Sequence, residues 1–220
     1  MAGAPSDRVR VRRAPARAAY DRATIDAILD EALVAHLGLA IDGQPYVIPT
    51  LHARVGDTVY VHGSAASRTI RTLTAGARAC LTVTLIDGMV LARSAFHHSL
   101  NYRSVVVLGE ARPVTDADEL LVALEAFTEK LVPGRWDEVR PPSAPELKGT
   151  RALALSLDEA SAKVRSGPPA DDREDHELDV WAGVVPLALA AGAPVPDPRL
   201  AHGIAPSAVV TGWSPAGRPS

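Results

Sequence analysis

Three two-residue turn signals, Asp42-Gly43, Gly56-Asp57 and Asp87-Gly88, punctuate short runs rich in β-branched and aliphatic residues. This spacing constrains the fold more than any other feature. Such pairs tolerate the positive φ angles of tight hairpins, so the runs beside them are expected to fold back as antiparallel strands. The runs are Leu33 to Ile41, Gln44 to Ala53, Thr58 to His62, Ala79 to Ile86 and Met89 to Phe96. Arg103 to Val114 adds a strand whose Val105-Val106-Val107 run predicts burial on both faces, with Gly109 marking a bend or bulge. Arg151 to Leu157 reads as the last long strand, alternating the small Ala152 and Ala154 with Leu153, Leu155 and Leu157.

Two stretches switch to helical period. From Tyr20 to Leu33, Ile25, Ile28, Leu29 and Ala32 share a face and Asp21 stands ready as a cap. After Thr115 and Asp118, which have capping-box spacing, Leu120, Leu124, Phe127 and Leu131 form a stripe that Pro133-Gly134 ends. Ser64 to Ala75 predicts a helical turn carrying Ile70 and Leu73, and Pro141, Pro142 and Pro145 an irregular connector. About seven strands with two helices, one inserted between late strands, point to a small, mainly β antiparallel barrel with peripheral helices.

At 220 residues with a net charge of −3, one domain is expected, and neither nucleic acid nor an anionic membrane suggests itself as the main partner. The lone Cys80 excludes an internal disulfide and a CxxC motif, and it suits a reducing, cytoplasmic compartment. Residues 1–19 carry arginines at 8, 10, 12, 13 and 17 without an apolar stretch, so a disordered basic arm is expected there rather than a secretory signal. Residues 20–190 form the expected domain, with an acidic loop over Asp171 to Asp179, and the Pro/Gly/Ala-rich residues 191–220 a loose tail. The richest apolar stretch, Val184 to Ala193, contains Pro186 and is too short to span a bilayer.

No GxGxxG, GxxxxGKS or GxSxG element is present, so a Rossmann or P-loop nucleotide site and a nucleophile-elbow hydrolase are excluded. A strand does run through His62 into the polar turn Gly63-Ser64-Ala65-Ala66-Ser67-Arg68-Thr69 and then a helix. Its hydroxyls at Ser64, Ser67 and Thr69, with the Arg68 guanidinium, suit a phosphate group; equally, they suit capping of the helix. A second polar group, Asn101-Tyr102-Arg103-Ser104, precedes the valine run, and Pro49-Thr50 places a proline inside a strand, as at an edge or a ligand opening. His62 is the candidate catalytic residue, as proton donor or substrate contact, or else an ordinary hydrogen-bonded histidine. His97-His98 lack a Cys or carboxylate at ligand spacing beside them, and no metal site is expected.

Taken in order, "PYVIPTLHARVGDTVYVHGSAASRTIRTL", "NYRSVVVLGEARPV", the inserted helix, "LKGTRALALSLDEASAKVRSGPP" and "WAGVVPL" resemble the flavin-nucleotide-binding branch of the pyridoxamine 5′-phosphate oxidase-like family. These are split-barrel flavoproteins that include the nitroimidazole-resistance proteins, and the resemblance runs from Arg13 to Pro186. It implies a split antiparallel β-barrel and a homodimer, with flavin mononucleotide (FMN) in a groove between two barrels. The family's Ser-Arg-Lys phosphate motif falls on Ser67, Arg68 and Thr69, so its second basic residue is missing, and Arg71 is the nearest substitute. The same resemblance puts His62 and Ser64 near the ribityl chain and Pro49 and Thr50 near the ring. It puts Asn101, Tyr102, Arg103 and Ser104 close to the cofactor, and Trp181 against the ring or at the dimer interface. The basic C-terminal segment of true pyridoxamine phosphate oxidases is missing from Trp181 to Pro206, which argues against that reaction. The expectation is an FMN-dependent oxidoreductase passing electrons from a nicotinamide nucleotide to a small acceptor. The alternatives are a flavin store or sensor without turnover, or the same fold holding deazaflavin F420 or haem, the latter with His62, His97 or His98 as axial ligand.

Overall fold

The computed structural model describes residues 3–215. Its centre is one curled, unclosed antiparallel sheet of ten strands, in the order β1-β9-β6-β5-β2-β3-β4-β8-β7, with β10 paired to β5. The strands are β1 (Ala18–Ala19), β2 (Val34–Ile41), β3 (Gln44–Val55), β4 (Thr58–Ser64) and β5 (Arg78–Leu91). They continue with β6 (Ser99–Glu110), β7 (Arg112–Pro113), β8 (Thr150–Ser156), β9 (Ala160–Arg165) and β10 (Gly183–Pro186). The helices α1 (Arg22–Glu31), α2 (Arg68–Thr74), α3 (Ala117–Leu131), α4 (Ala144–Gly149) and α5 (Ala208–Thr211) are peripheral. This is a split antiparallel β-barrel, and among the described residues no helix is long and apolar enough to cross a membrane.

Side-chain alternation divides the core in two. Val59, Val61, Leu153 and Leu155 point into the barrel, where they meet Leu81, Val83, Val105 and Val107 and the buried face of α1, Ile25, Ile28 and Leu29. The intervening Tyr60, Ala152 and Ala154 point outward and, with Ala53, form a second cluster beneath Ala123 and Phe127 of α3. The small–large alternation of β8 therefore has a cause: alanines on one face admit α3, while leucines on the other fill the barrel. The first hairpin turns at Asp42 and Gly43 with φ of 51° and 79°, the pair of positive angles its sequence predicts.

Asp87-Gly88, by contrast, is not a turn. β5 runs straight through it, with a register shift against β6 between Ile86 and Gly88, and the reversal falls at residues 92–98 instead. A β-carbon on Gly88 would stand 2.9 Å from Val184 Cγ1 and 3.0 Å from the Val185 carbonyl oxygen, so the glycine serves the close approach of β10 rather than a hairpin. The bulge leaves Asp87 paired with Arg103. Several expectations shift in smaller ways. The cap of α3 is Asp116, accepting from the Glu119 N–H at 2.8 Å, one residue beyond Thr115. Val106 faces outward and is half-buried, so the valine run is not enclosed on both faces. β9, β10 and α4 escape the sequence pattern, α4 starting in the proline-rich connector on a Ser143–Glu146 capping box.

Residues read from composition as a solvated arm lie along the barrel from Ser6 onward. Val9 is buried, Arg8 pairs with Glu159 at 2.9 Å, Tyr20 accepts from the Val11 N–H, and β1 pairs with β9. In the expected tail, Ser207 donates to Glu138 and Val209 approaches Gly134. The first two residues of the expected arm and the last five of the expected tail lie outside the described residues.

The C-terminal carbonyls of α1 are taken up from two sides. Lys130 of α3 donates to the Leu29 and Asp30 carbonyls at 2.7 and 3.0 Å, and the fully buried His52 of β3 reaches the Leu29 carbonyl through Nε2 at 3.0 Å. With Nε2 donating, His52 Nδ1 is left buried without a partner. Burial, reinforced by the Lys130 charge, holds the His52 pKa down at about 4 from 6.5. The native state therefore binds fewer protons than the unfolded chain between these values. The His52 contribution to stability should be complete above about pH 6.5 and fall by about 3 kcal/mol as the pH drops to 4, a slope that urea titrations should show and His52→Gln should flatten.

Candidate functional site

β3 changes partner in mid-strand. Gln44 to Leu51 pairs with β2, whereas His52 to Val55 pairs with β4, and His62 to Ser64 at the end of β4 pairs only with β8. The edges of Pro49–Leu51 and His62–Ser64 thus diverge around a slit. At its mouth the chain tightens into a turn, with the Ser67 N–H donating to the Ser64 carbonyl at 2.9 Å and Ala66 N–H to Ser64 Oγ at 3.2 Å. Ser67 occupies the capping position of α2, yet its hydroxyl makes no capping bond, and Thr69 makes no side-chain hydrogen bond among the described residues. Arg68 lies over the Tyr46 ring of β3, 4.4 Å from its centroid, and has no carboxylate partner among the described residues. Stacking fixes the guanidinium while leaving its N–H groups without a carboxylate, and the hydroxyls of Ser64, Ser67 and Thr69 flank it along the chain. Pro49 is exposed opposite His36, and the half-buried Thr50 donates to the Leu51 carbonyl.

His62 turns away from this mouth toward α3. Its ring centroid is 4.3 Å from that of Phe127, its Nδ1 is buried, and neither ring nitrogen has a hydrogen-bond partner among the described residues. Burial holds its pKa below the usual value, which keeps the imidazole neutral near pH 7. It opens onto a cavity of about 650 Å³ walled by Leu51, Leu124, Phe127, Leu131 and Val139 and bordered by Arg135, Trp136 and Arg140. Arg135 is held by Glu138 and Arg140 by Glu146, each at 2.6 Å. Sequence reasoning missed these bordering residues; a tryptophan between two arginines in the connector after α3 was the available signal. The exposure of Leu131 in an otherwise apolar stripe has its explanation here, because the stripe lines a cavity as well as a sheet.

The other predicted residues are not brought to the slit within one chain. Asn101 donates to the Gly167 carbonyl and accepts from Arg165, on the third strand from β3. Arg103 is clamped by Glu31, which it meets with both terminal nitrogens, and by Asp87 at 2.8 and 3.0 Å, bonds that push its pKa up and commit it to α1. Tyr102 and Ser104 lie half-buried on the opposite face of β6, and Trp181 is 66% exposed beside β10, folded back on Gly183. His98 Nδ1 accepts from the Ala92 N–H. His97 lies 3.2 Å from Asp172, and with Asp175 these residues bring one ligand atom each within 4.8 Å of the others. The carboxylates absent beside His97 in sequence are thus supplied by the acidic loop, on the surface.

A family model described as pyridoxamine 5′-phosphate oxidase matches residues 21–164. The flavocytochrome Anf3 from Azotobacter vinelandii superposes with a TM-score of 0.89 at 43% identity, covering 96% of this chain and 98% of that one. An FAD- and haem-binding protein from Mycobacterium smegmatis gives 0.87 at 38% identity, covering 90% and 98%. A protein assigned to 5-nitroimidazole antibiotic resistance in Bacteroides thetaiotaomicron shares the fold, with 0.57 at 22% identity over 67% of this chain and 86% of that one. Comparison with curated proteins gives no match.

The clamp on Arg103 separates structure from ligand binding. Arg103→Met takes the guanidinium away from Glu31 and Asp87 and should cost about 1–3 kcal/mol of stability by chemical denaturation, while leaving the affinity of the isolated chain for any slit ligand unchanged.

Proposed function

Because the chain belongs to the pyridoxamine 5′-phosphate oxidase family, we propose that it is an oxidoreductase holding a flavin in the slit and a haem in the His62 cavity. The cavity carries this reading. A haem requires an axial donor, apolar walls and cations for its propionates. The uncommitted, neutral His62 and the leucines with Phe127 answer the first two needs, and Arg135 and Arg140, each already paired with a glutamate, border the cavity where a propionate would compete for them. Two relatives above 30% identity, a flavocytochrome and an FAD- and haem-binding protein, support the same pairing.

In the slit, Arg68 and the Ser64 and Ser67 hydroxyls hold the FMN phosphate, and Pro49 and Thr50 bound the ring. When bound, the two groups supply hydride acceptance and one-electron transfer respectively. The protein's own work is to orient them and exclude water: His62 and Ser64 leave β4 two residues apart, so one strand positions both sites. His62 is accordingly assigned as a ligand rather than a proton donor. A nicotinamide nucleotide is the proposed electron donor and a small molecule the acceptor.

A second copy of the chain is proposed to cover the outer face of β2, β3, β5 and β6, where Val47 is 65% exposed and Ile86 and Met89 are each 39% exposed beside the half-buried Val106. Tyr102 and Ser104 lie on that face, so a homodimer would present them to the partner's site. In this reading the compartment is the cytoplasm, where Cys80 stays reduced.

Purified protein should show flavin absorbance together with a haem Soret band. His62→Ala should abolish the Soret band and retain the flavin; a Soret band that survives would remove His62 as ligand. Arg68→Ala should weaken flavin binding by about 1.5–3 kcal/mol, measured by titration of the stripped protein, and unchanged affinity would remove its phosphate role.

A further inference from the structure

We propose that His97, Asp172 and Asp175 form a site for one divalent transition-metal ion of the zinc type, between the loop that joins β5 to β6 and the acidic loop that follows β9. The set offers an imidazole nitrogen and two carboxylates, and one ligand atom from each lies within 4.8 Å of the others. In sequence 75 residues separate His97 from Asp172, so nothing local to either loop requires the donors to meet. The set shares no residue with the slit or the His62 cavity.

The two loops are held together without an ion. The backbone N–H and the guanidinium of Arg93 donate to the two oxygens of Asp171, each at 3.0 Å, and that carboxylate is buried. The next residue, Asp172, is thereby delivered to the 92–98 reversal. It stands at the capping position of the 3₁₀ turn Arg173–Glu177, yet its side chain makes no capping bond and lies 3.2 Å from His97 Nε2 instead. A 3₁₀ turn repeats every three residues, so the side chain three positions on returns to the same side. That residue is Asp175, which makes no side-chain hydrogen bond or ion pair among the described residues. Opposite them the His97 ring is fixed edge-on against the Phe96 ring, with centroids 5.2 Å apart. His98 is not part of the set, because its Nδ1 takes the Ala92 N–H.

Distance and charge select the ion. Two donors bonded to zinc at about 2.0–2.1 Å in a tetrahedron stand about 3.3 Å apart. The His97–Asp172 separation of 3.2 Å already matches that edge. A simple histidine–aspartate hydrogen bond would explain this pair but not the third donor beside it. Two carboxylates and a neutral imidazole carry the charge that balances a divalent cation. The segment from Asp171 to Asp179 adds four further carboxylates against the single Arg173, a field that draws cations to this loop. The imidazole favours zinc and its neighbours over calcium or magnesium, which take oxygen ligands, and no thiolate is present to favour copper(I). With water in the fourth position, the ion would fasten the segment leading to β10 onto the reversal between β5 and β6.

The test is calorimetric titration of the full-length protein, dialysed against a chelator, with Zn²⁺ and separately with Ca²⁺. The variants are His97→Ala, Asp172→Asn and Asp175→Asn, with His176→Ala as control, since His176 lies on the same turn but outside the set. All four side chains lie outside the hydrophobic core, so the variants keep the fold. The expected result is one Zn²⁺ per chain, with Ca²⁺ at least about tenfold weaker, a loss of about tenfold or more in each of the three variants, and no change in His176→Ala. Zn²⁺ should also raise the melting temperature of the wild type and leave that of His97→Ala/Asp172→Asn where it is. A wild type that binds no Zn²⁺, or Zn²⁺ affinity that survives any of the three substitutions, would overturn the site. Equal affinity for Ca²⁺ would overturn it too, since the carboxylates would then hold the ion without the imidazole.

Discussion

The change of partner by β3 between Leu51 and His52 is the constraint from which the rest of the structure follows. A strand that leaves β4 for β2 cannot keep both edges paired, and the unpaired edges must open onto something other than sheet. Here they open onto the slit, with the hydroxyl-rich turn at one end and the α3 cavity on the outer face. Because residues alternate across a strand, the same few positions of β4 serve three purposes: Val61 fills the barrel, His62 meets α3, and Gly63 makes way for Ile70, whose Cγ1 would stand 3.1 Å from a β-carbon there.

Holding the slit open requires that α1 and α3 stay fixed around it. Their link is polar rather than apolar: the carbonyls that end α1 receive Lys130 and His52, and both donors are buried enough for their pKa values to fall, Lys130 to about 8 and His52 to about 4. Leaving those carbonyls bare would cost a desolvation penalty of about 1–3 kcal/mol each, which is the reason a lysine and a histidine are accepted in such positions. Arg103 extends the network on the other side of α1 through Glu31. A residue that sequence places beside a cofactor is thus spent on anchoring a helix.

The distribution of guanidinium groups separates scaffold from site. Several arginines that secure the fold are met by a carboxylate, as with Arg54 and Asp30 or Arg112 and Glu119. Around the Ser64–Ser67 turn the pairing stops, and Arg68, Arg71 and Arg151 keep their charges unbalanced by any described carboxylate. No stability argument requires uncompensated cations around one turn, and the proposed phosphate site rests on that observation.

Residue order alone determined the class of fold, the Asp42-Gly43 hairpin, α1 with its Asp21 cap, the apolar stripe of α3 and the polar turn that leads into α2, because each rests on contacts a few residues apart: turn angles, capping bonds and periodicity. What depended on distant chain could not be read locally. Asp87-Gly88 has the composition of a turn, but β10, almost a hundred residues later, packs onto Gly88 and keeps the strand straight. Asn101 and Arg103 have the composition of a site, but Arg165, Glu31 and Asp87 had already claimed them. The cavity at His62 exists only where α3, α4 and β8 meet. Side-chain chemistry is written in the sequence, whereas the vacancy or commitment of each polar group is settled by which neighbours the fold delivers to it.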